Sequence, residues 1–242
     1  LSIIKDEIGV IRQKYADERR TEITADENDL EVEDLIADED VVITISHTGY
    51  IKRVPMDTYK SQKRGGKGIT GMTTKEEDFV EQLFITSTHN YLMFFTNNGK
   101  CYRVKVYDIP ETSRTSKGTA VVNLINIGND EKITAVISVK NFAEEKYLLA
   151  VTRHGYVKKT ILNEYDSSRK DGLIAINLEE GDELVKVALT DGKQELLLVT
   201  AYGMAIRFSE EEVRPIGRTG QGVHGIKLEK GDYVQAMDIV RA

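Results

Sequence analysis

From residue 41 onward the chain repeats itself four times, and that period constrains its fold more than any other feature. Segments 41–88, 89–140, 141–190 and 191–240 align. Each opens on an apolar run: VVITIS (41–46), YLMFFT (91–96), YLLAVT (147–152) and ELLLVT (195–200). A turn with a glycine follows, at Gly49, Gly99, Gly155 and Gly203, and leads into a second run that ends in bases: GYIKR, GKCYR, GYVKK and GMAIR. Glycine supplies the positive φ that a tight hairpin requires. A second glycine recurs at Gly68, Gly118, Gly172 and Gly222, and after it come apolar runs such as VVNLINI (121–127), LIAINL (173–178) and VHGIKL (223–228). The repeats close on alternating runs, KITAVISV (132–139), ELVKVAL (183–189) and DYVQAMDIV (232–240). β-Branched and aromatic residues fill these runs and no helical period appears, so they read as strands. The first glycines are 50, 56 and 48 residues apart. A unit of roughly 50 residues with about four strands has the size of a propeller blade. The predicted class is all-β, a propeller-like array with four blades visible at about 41–88, 89–140, 141–190 and 191–240. A single irregular β-sandwich is the alternative.

Ahead of the repeat lie two unlike segments. Leu1, Ile4, Ile8, Ile11 and Tyr15 alternate in steps of three and four, the seam of a heptad helix. Two heptads are marginal alone in water, so residues 1–23 read as the end of a longer coiled-coil helix, and Leu1 in place of Met points to a longer parent. An N-terminal cap on the following domain is the other reading. Residues 24–40 carry nine acids and no base, the pattern of a solvated linker, with Leu35 and Ile36 as anchors for its far end. A sharper reading makes it an acidic strip competing with an anionic ligand.

The net charge of −7 argues superficially against a nucleic-acid partner, but its distribution does not. Residues 1–40 hold 14 acids and 5 bases, whereas residues 41–242 hold 26 acids and 28 bases. The bases concentrate between the paired glycines. Window 49–68 (Lys52, Arg53, Lys60, Lys63, Arg64, Lys67) has a net charge of +5 and window 99–118 (Lys100, Arg103, Lys105, Arg114, Lys117) of +3. Window 155–172, with Lys158 and Lys159, has +1, and window 203–222, with Arg207, has zero. Equivalent positions of an array share a rim, so these cations predict a basic stripe suited to a polyanion such as duplex DNA. Absent any base-reading helix or zinc finger, recognition is expected through phosphates and DNA deformability. Tyr50, Tyr102 and Tyr156 adjoin the basic strands and are candidates to pack on sugar edges. Ordinary solvated loop lysines are the bland alternative, the stronger one for the last two windows.

Other chemistries find little support. Cys101 is the sole cysteine, which excludes a disulfide framework and a cysteine zinc site and suits a reducing compartment. His47, His89, His154 and His224 lack metal-ligand spacing. No Walker-type loop and no catalytic constellation is present, and no run reaches the ~20 apolar residues of a membrane span. The most specific motif is QKRGGKG at 62–68. Its glycines let backbone amides approach a phosphate, while Lys63, Arg64 and Lys67 supply charge and Gln62 a hydrogen bond.

This heptapeptide (Gln62, Lys63, Arg64, Gly65, Gly66, Lys67, Gly68) resembles the gyrase-A box of the C-terminal region of DNA gyrase A. YADERRTEI (15–23) resembles the end of that family's coiled coil, and ITISHTGYIKRVP (43–55) one of its blade openings. The resemblance covers essentially the whole chain. It implies a β-pinwheel whose blades exchange hairpins and whose basic rim wraps DNA in a right-handed sense, so that ATP-driven strand passage introduces negative supercoils. It implies duplex DNA, gyrase B and the N-terminal part of gyrase A in an A2B2 complex as partners, with no membrane, in the cytoplasm at the nucleoid. No cofactor is expected on this part; ATP and Mg²⁺ belong to other parts, as do the nucleophilic tyrosine and metal-binding acids. The DNA-contacting set expected on this reading is the heptapeptide with Lys52, Arg53, Lys60, Arg103, Lys105, Arg114, Lys117, Lys158, Lys159 and Arg207. The related topoisomerase IV protein, in which the box is usually degraded, and a protein-interaction propeller are the alternatives. The family disc usually has six blades, and four are visible here, which places ring closure by the box loop in doubt.

Overall fold

A computed structural model describes residues 1–17, 21, 32–59, 72, 78–128, 130–167 and 172–240. They fall into two compact units, Leu1–Leu35 and Ile36–Ala242. The first contains helix α1, Ser2–Tyr15, none of whose residues is buried; the apolar seam from Leu1 to Tyr15 is exposed. Arg12 and Lys14 occupy its last turn, where positive charge complements the helix dipole.

The second unit is built from β1 (Asp40–Ser46), β2 (Tyr50–Pro55), β3 (Val80–Ser87), β4 (Tyr91–Thr96), β5 (Lys100–Lys105), β6 (Thr119–Ala120), β7 (Ile133–Val139), β8 (Tyr147–Thr152), β9 (Tyr156–Ile161), β10 (Leu173–Ile174), β11 (Leu184–Thr190), β12 (Glu195–Thr200), β13 (Ala205–Ser209), β14 (Val223–His224) and β15 (Val234–Val240). They form antiparallel sheets in the orders β3-β1-β2-β6, β10-β5-β4-β7, β11-β8-β9-β14 and β13-β12-β15. Each repeat thus supplies three long strands to its own sheet. The outermost, two-residue strand comes from the repeat that follows: Tyr50 and Ile51 pair with Ala120 and Thr119, Lys100 and Cys101 with Ile174 and Leu173, and Tyr156 and Val157 with His224 and Val223. Of the runs after the second glycine, which the repeat pattern suggests as full strands, LIAINL and VHGIKL are therefore strands only at their start, and in the second repeat the strand pair precedes the run. The VVN stretch turns at once into a 3-10 helix, Val121–Asn123.

The opening runs of the second and third repeats are apolar throughout because their strands, β4 and β8, are covered on both faces, whereas β12 buries Leu196 and Leu198 on one face only. Successive side chains of a strand point to opposite sides. Leu92 and Phe94 of β4 enter the core shared with Val41, Ile43 and Tyr102, whereas Met93 and Phe95 enter the next core with Leu148 and Ala150. In β8 the same division sends Leu149 and Val151 into a third core with Leu196 and Leu198. The cores lie between consecutive sheets.

Recurrent polar devices hold the hairpin turns. Ser46, Thr152 and Thr200 accept with their hydroxyls the N–H groups of Tyr50, Tyr156 and Met204, each at 3.2 Å. In these three repeats a carboxylate from the far side caps the same turn: Asp78 accepts from the Thr48 N–H at 3.0 Å, Asp182 from that of His154 at 2.8 Å and Asp232 from that of Tyr202 at 3.0 Å. The end of the acidic stretch is tied to this unit mainly through its backbone. Buried Thr88 donates to the Ala37 carbonyl (2.7 Å) and accepts from the Glu39 N–H (3.2 Å), and His89 Nε2 lies 2.8 Å from the Ile36 carbonyl oxygen. Leu35, predicted as an anchor, is exposed instead.

Candidate nucleic-acid interface

The segment linking β5 to β6 leaves its own sheet, crosses to the preceding one and ends there as the outermost strand. It carries Arg114 and Lys117, both half-exposed. The segment linking β13 to β14 repeats the crossing two sheets further on, from the fourth sheet to the third, and carries exposed Arg214 and half-exposed Arg218. Counting back four residues from Gly118 and Gly222 gives Arg114 and Arg218, so these arginines are structural equivalents.

Parallel backbone contacts dock the two crossings. The Thr112 N–H donates to the Arg53 carbonyl and the Ile216 N–H to the Lys159 carbonyl, at 3.1 and 2.9 Å. Gly118 and Gly222 then pass so close to the receiving strands that a Cβ would stand 2.4 Å from the Ile51 carbonyl oxygen and 2.6 Å from that of Val157.

The structure corrects the predicted contact set at three positions. Lys52, Lys158 and Lys159 are 0%, 1% and 5% exposed and cannot present their ammonium groups to a polyanion. Lys52 Nζ donates to the carbonyls of Arg114 and of Ser116, the latter at 3.0 Å. Lys158 Nζ donates to the Ala175 carbonyl at 2.7 Å and to that of Arg218. Lys159 Nζ donates to the Glu210 carbonyl at 3.0 Å and lies 3.7 Å from its buried carboxylate. The physical reason is coverage: the incoming crossing roofs over β2 and β9, and the lysines satisfy carbonyls that burial would otherwise leave unpaired. Burial, reinforced by the nearby arginines, lowers the Lys52 pKa and brings that of Lys158 down to about 7. Tyr102 is likewise buried, with its hydroxyl donating to Glu131 at 3.0 Å, so it does not pack on a sugar.

The other described cations remain at or near the surface, several already engaged. Arg53 Nε donates to the Ile109 carbonyl at 3.1 Å and its guanidinium is 3.7 Å from Glu111. Arg103 pairs with Asp166 at 2.9 Å and stacks over Tyr91 and Phe142, at 4.7 and 5.0 Å from their ring centroids. Lys105 donates to the His89 carbonyl at 3.0 Å and sits 3.9 Å over Tyr91. Exposed Arg207 forks onto Glu195. Lys117 stands 3.4 Å over the Tyr50 ring, which fixes its ammonium group beside Arg114's loop. The structure therefore brings Arg53, Arg114 and Lys117 to one crossing. Lys60 and the heptapeptide Gln62, Lys63, Arg64, Gly65, Gly66, Lys67 and Gly68 lie outside the described residues. Arg218 escapes a reading by charge because its window has zero net charge; its register to Gly222 is the signal that finds it.

No set of three or more His, Cys, Asp or Glu side chains able to hold a metal occurs among the described residues, and none of the described helices is long and apolar enough to cross a membrane. Cys101 is buried, and the apolar surroundings push its thiol pKa up.

The sequence matches the family described as DNA gyrase C-terminal domain, beta-propeller, in four segments, 40–87, 90–140, 146–191 and 194–241. The chain belongs to this family. It is 56% identical over 225 residues to the DNA gyrase A protein of Clostridium acetobutylicum, a match covering 93% of this chain and 27% of that protein. It is 49% identical over 241 residues to the DNA gyrase A protein of Staphylococcus epidermidis, covering 99% of this chain and 27% of the relative. The chain thus spans about a quarter of the length of these relatives. Among solved structures, the C-terminal domain of DNA topoisomerase IV superposes with a TM-score of 0.75 at 35% identity, covering 86% of this chain and 63% of the other. A DNA gyrase A C-terminal domain superposes with a TM-score of 0.63 at 28% identity, covering 82% and 64%. The pinwheel architecture is common to both, whereas the gyrase A relatives cover almost the whole sequence at high identity, so gyrase A rather than topoisomerase IV describes this chain's kin.

Proposed function

We propose that this chain is the DNA-binding and DNA-wrapping part of a bacterial gyrase A protein. It holds duplex DNA on the rim where the exchanged segments cross, so that ATP-driven strand passage elsewhere in the enzyme introduces negative supercoils. The observation that supports this reading most directly is the repeated crossing, which brings half-exposed Arg114 and Lys117 to the first sheet and, in its equivalent, exposed Arg214 and half-exposed Arg218 to the third. On the same reading Lys63, Arg64 and Lys67 of the heptapeptide add phosphate contacts, residues 1–23 end a coiled coil, residues 24–40 link it to the pinwheel at 41–242, and the assembly is A2B2 in the cytoplasm at the nucleoid. ATP and Mg²⁺ act on other parts of that enzyme, and this part carries no reacting group.

The test is the salt dependence of duplex binding. Each phosphate neutralised contributes a slope of about −0.9 to log K against log salt. The Arg114→Gln/Lys117→Gln variant is expected to lose about two units of slope, with little change in sequence preference. Relaxation of circular DNA in the presence of the wild-type chain is expected to trap a shifted topoisomer distribution, and neutralising Lys63, Arg64 and Lys67 to remove that shift more than binding. Wild-type affinity unchanged between about 50 and 200 mM salt, where a wrapping protein loses orders of magnitude, would refute the reading.

A further inference from the structure

Two buried lysines occupy the same place in different repeats and make the same unusual bond. Lys52 and Lys158 are each the fourth residue from the hairpin glycine, in GYIK and GYVK. Each sends its ammonium group across to the carbonyl of the arginine four residues before the next repeat's second glycine, Arg114 and Arg218 respectively. The partners are 62 and 60 residues away in sequence. Lys52 takes a second carbonyl from the same loop, Ser116; Lys158 takes one from Ala175, so it clamps segments of two repeats.

An ammonium group removed from water costs free energy unless its protons find acceptors. An uncharged side chain would fill this volume without that cost, as buried Tyr102 does at the equivalent position of the second repeat. The lysine supplies something an apolar residue does not: donors that fix the backbone of an otherwise irregular loop at a half-exposed arginine, Arg114 or Arg218, the latter with its Nε buried. The loop held by Lys52 also lines an open cleft of about 380 Å³, shared by Thr58, Thr112, Ser113 and Arg114; the Thr112 hydroxyl is buried and has no hydrogen-bond partner among the described residues. The hydroxyl of exposed Ser113, beside Arg114, is a donor of the kind that phosphate oxygens accept from.

We propose that Lys52 and Lys158 are positioning residues for DNA phosphate contact: without touching the duplex, they hold the exchanged loops so that Arg114 and Arg218 meet it. The inference rests on the DNA-wrapping reading above. It assigns to the interior a share of the affinity that the sequence assigns to surface charge.

The experiment uses the full chain with Lys52→Met and Lys158→Met, which keep the aliphatic stem and remove the donors, alongside Arg114→Gln and the double variant Lys52→Met/Arg114→Gln. Duplex affinity is measured from about 50 to 200 mM salt, and amine-reactive labelling maps lysine accessibility with and without DNA. Lys52→Met is expected to lose about one unit of salt slope, as Arg114→Gln does, so that affinity falls about 3.5-fold less over this salt interval per lost contact. The double variant is expected to lose no more than either single one. Lys52 and Lys158 should stay unlabelled in free and bound protein, while DNA protects Lys117. Retention of the full slope by a folded Lys52→Met, or labelling of Lys52 that DNA suppresses, overturns the proposal. Failure of Lys52→Met to fold also overturns it, because the lysine then holds the sheet rather than the loop. Absence of any salt slope in the wild type is a different result, and sinks the DNA-binding reading itself.

Discussion

Gly49 and Gly118 provide a matched pair for measuring what strand exchange contributes. Their φ angles are +81° and +82°, so alanine meets the same left-handed strain at both, about 1–2 kcal/mol. Their surroundings differ. A Cβ on Gly49 would meet none of the described residues within 4 Å, whereas on Gly118 it would stand 2.4 Å from the Ile51 carbonyl oxygen and 2.9 Å from Lys52 Cβ. These neighbours are a backbone and the root of a buried side chain, so relief requires β6 to lift off β2. Lifting strains the pairing of Tyr50 and Ile51 with Ala120 and Thr119 and the 2.9 Å bond from the Val121 N–H to the Gly49 carbonyl. At about 1 kcal/mol net for each bond weakened, Gly118→Ala should lose roughly 2–4 kcal/mol more than Gly49→Ala. For a chain of this size that difference corresponds to roughly 5–15 °C in Tm. The assay is urea and thermal unfolding followed by tyrosine near-UV circular dichroism, with amide hydrogen exchange at Thr119–Val121 to locate the loss. Equal destabilisation by the two substitutions would refute the claim that the close crossing, rather than the backbone angle, makes glycine necessary at 118.

Further outcomes follow from the charges inside the fold. Burial lowers the Lys158 pKa to about 7, against about 10.4 for an exposed lysine, so between these values the unfolded chain binds a proton that the folded one lacks. Stability should then rise with pH from about 7 to 10 with a slope of at most about 1.4 kcal/mol per unit, and Lys158→Met should lose that component; identical slopes in denaturant titrations would contradict it. Asp182→Ala leaves the His154 and Glu183 N–H groups without their carboxylate and should cost about 1–3 kcal/mol, read as a lower urea midpoint at unchanged m. An unchanged midpoint would show that the turn does not need its cap.

The hairpins are legible in the sequence because two local signals coincide: apolar runs and a glycine at each turn, and Gly49, Gly99, Gly155 and Gly203 all have positive φ. The apolar openings also announce their burial, since β4 and β8 serve cores on both sides. Lys52 and Lys158 read in sequence as surface cations and are not. What covers them arrives some 60 residues later in the chain, and no local pattern displays a roof built from the next repeat. A hint lies in the repeat itself: the same position is Tyr102 and Ile206 in the other two units, residues suited to an amphipathic or apolar niche. The turn caps Asp78, Asp182 and Asp232 are hidden among many acids, because a carboxylate bonded to a distant turn looks in sequence like any solvated one. Arg114 and Lys117 stand out by charge density alone, and Arg218 requires the register that charge density ignores.

The outermost strand of each complete sheet is on loan from the repeat downstream, so the period of the sequence and the module of the architecture are out of phase. Excising one repeat at its alignment borders would remove a strand from one neighbour while leaving the excised piece with an unmatched flap. Moving the cut does not avoid this: one after Ala120 keeps β6 with β2 but separates β4 and β5 from β7, so lender and borrower travel together only when neighbouring repeats are moved as a block.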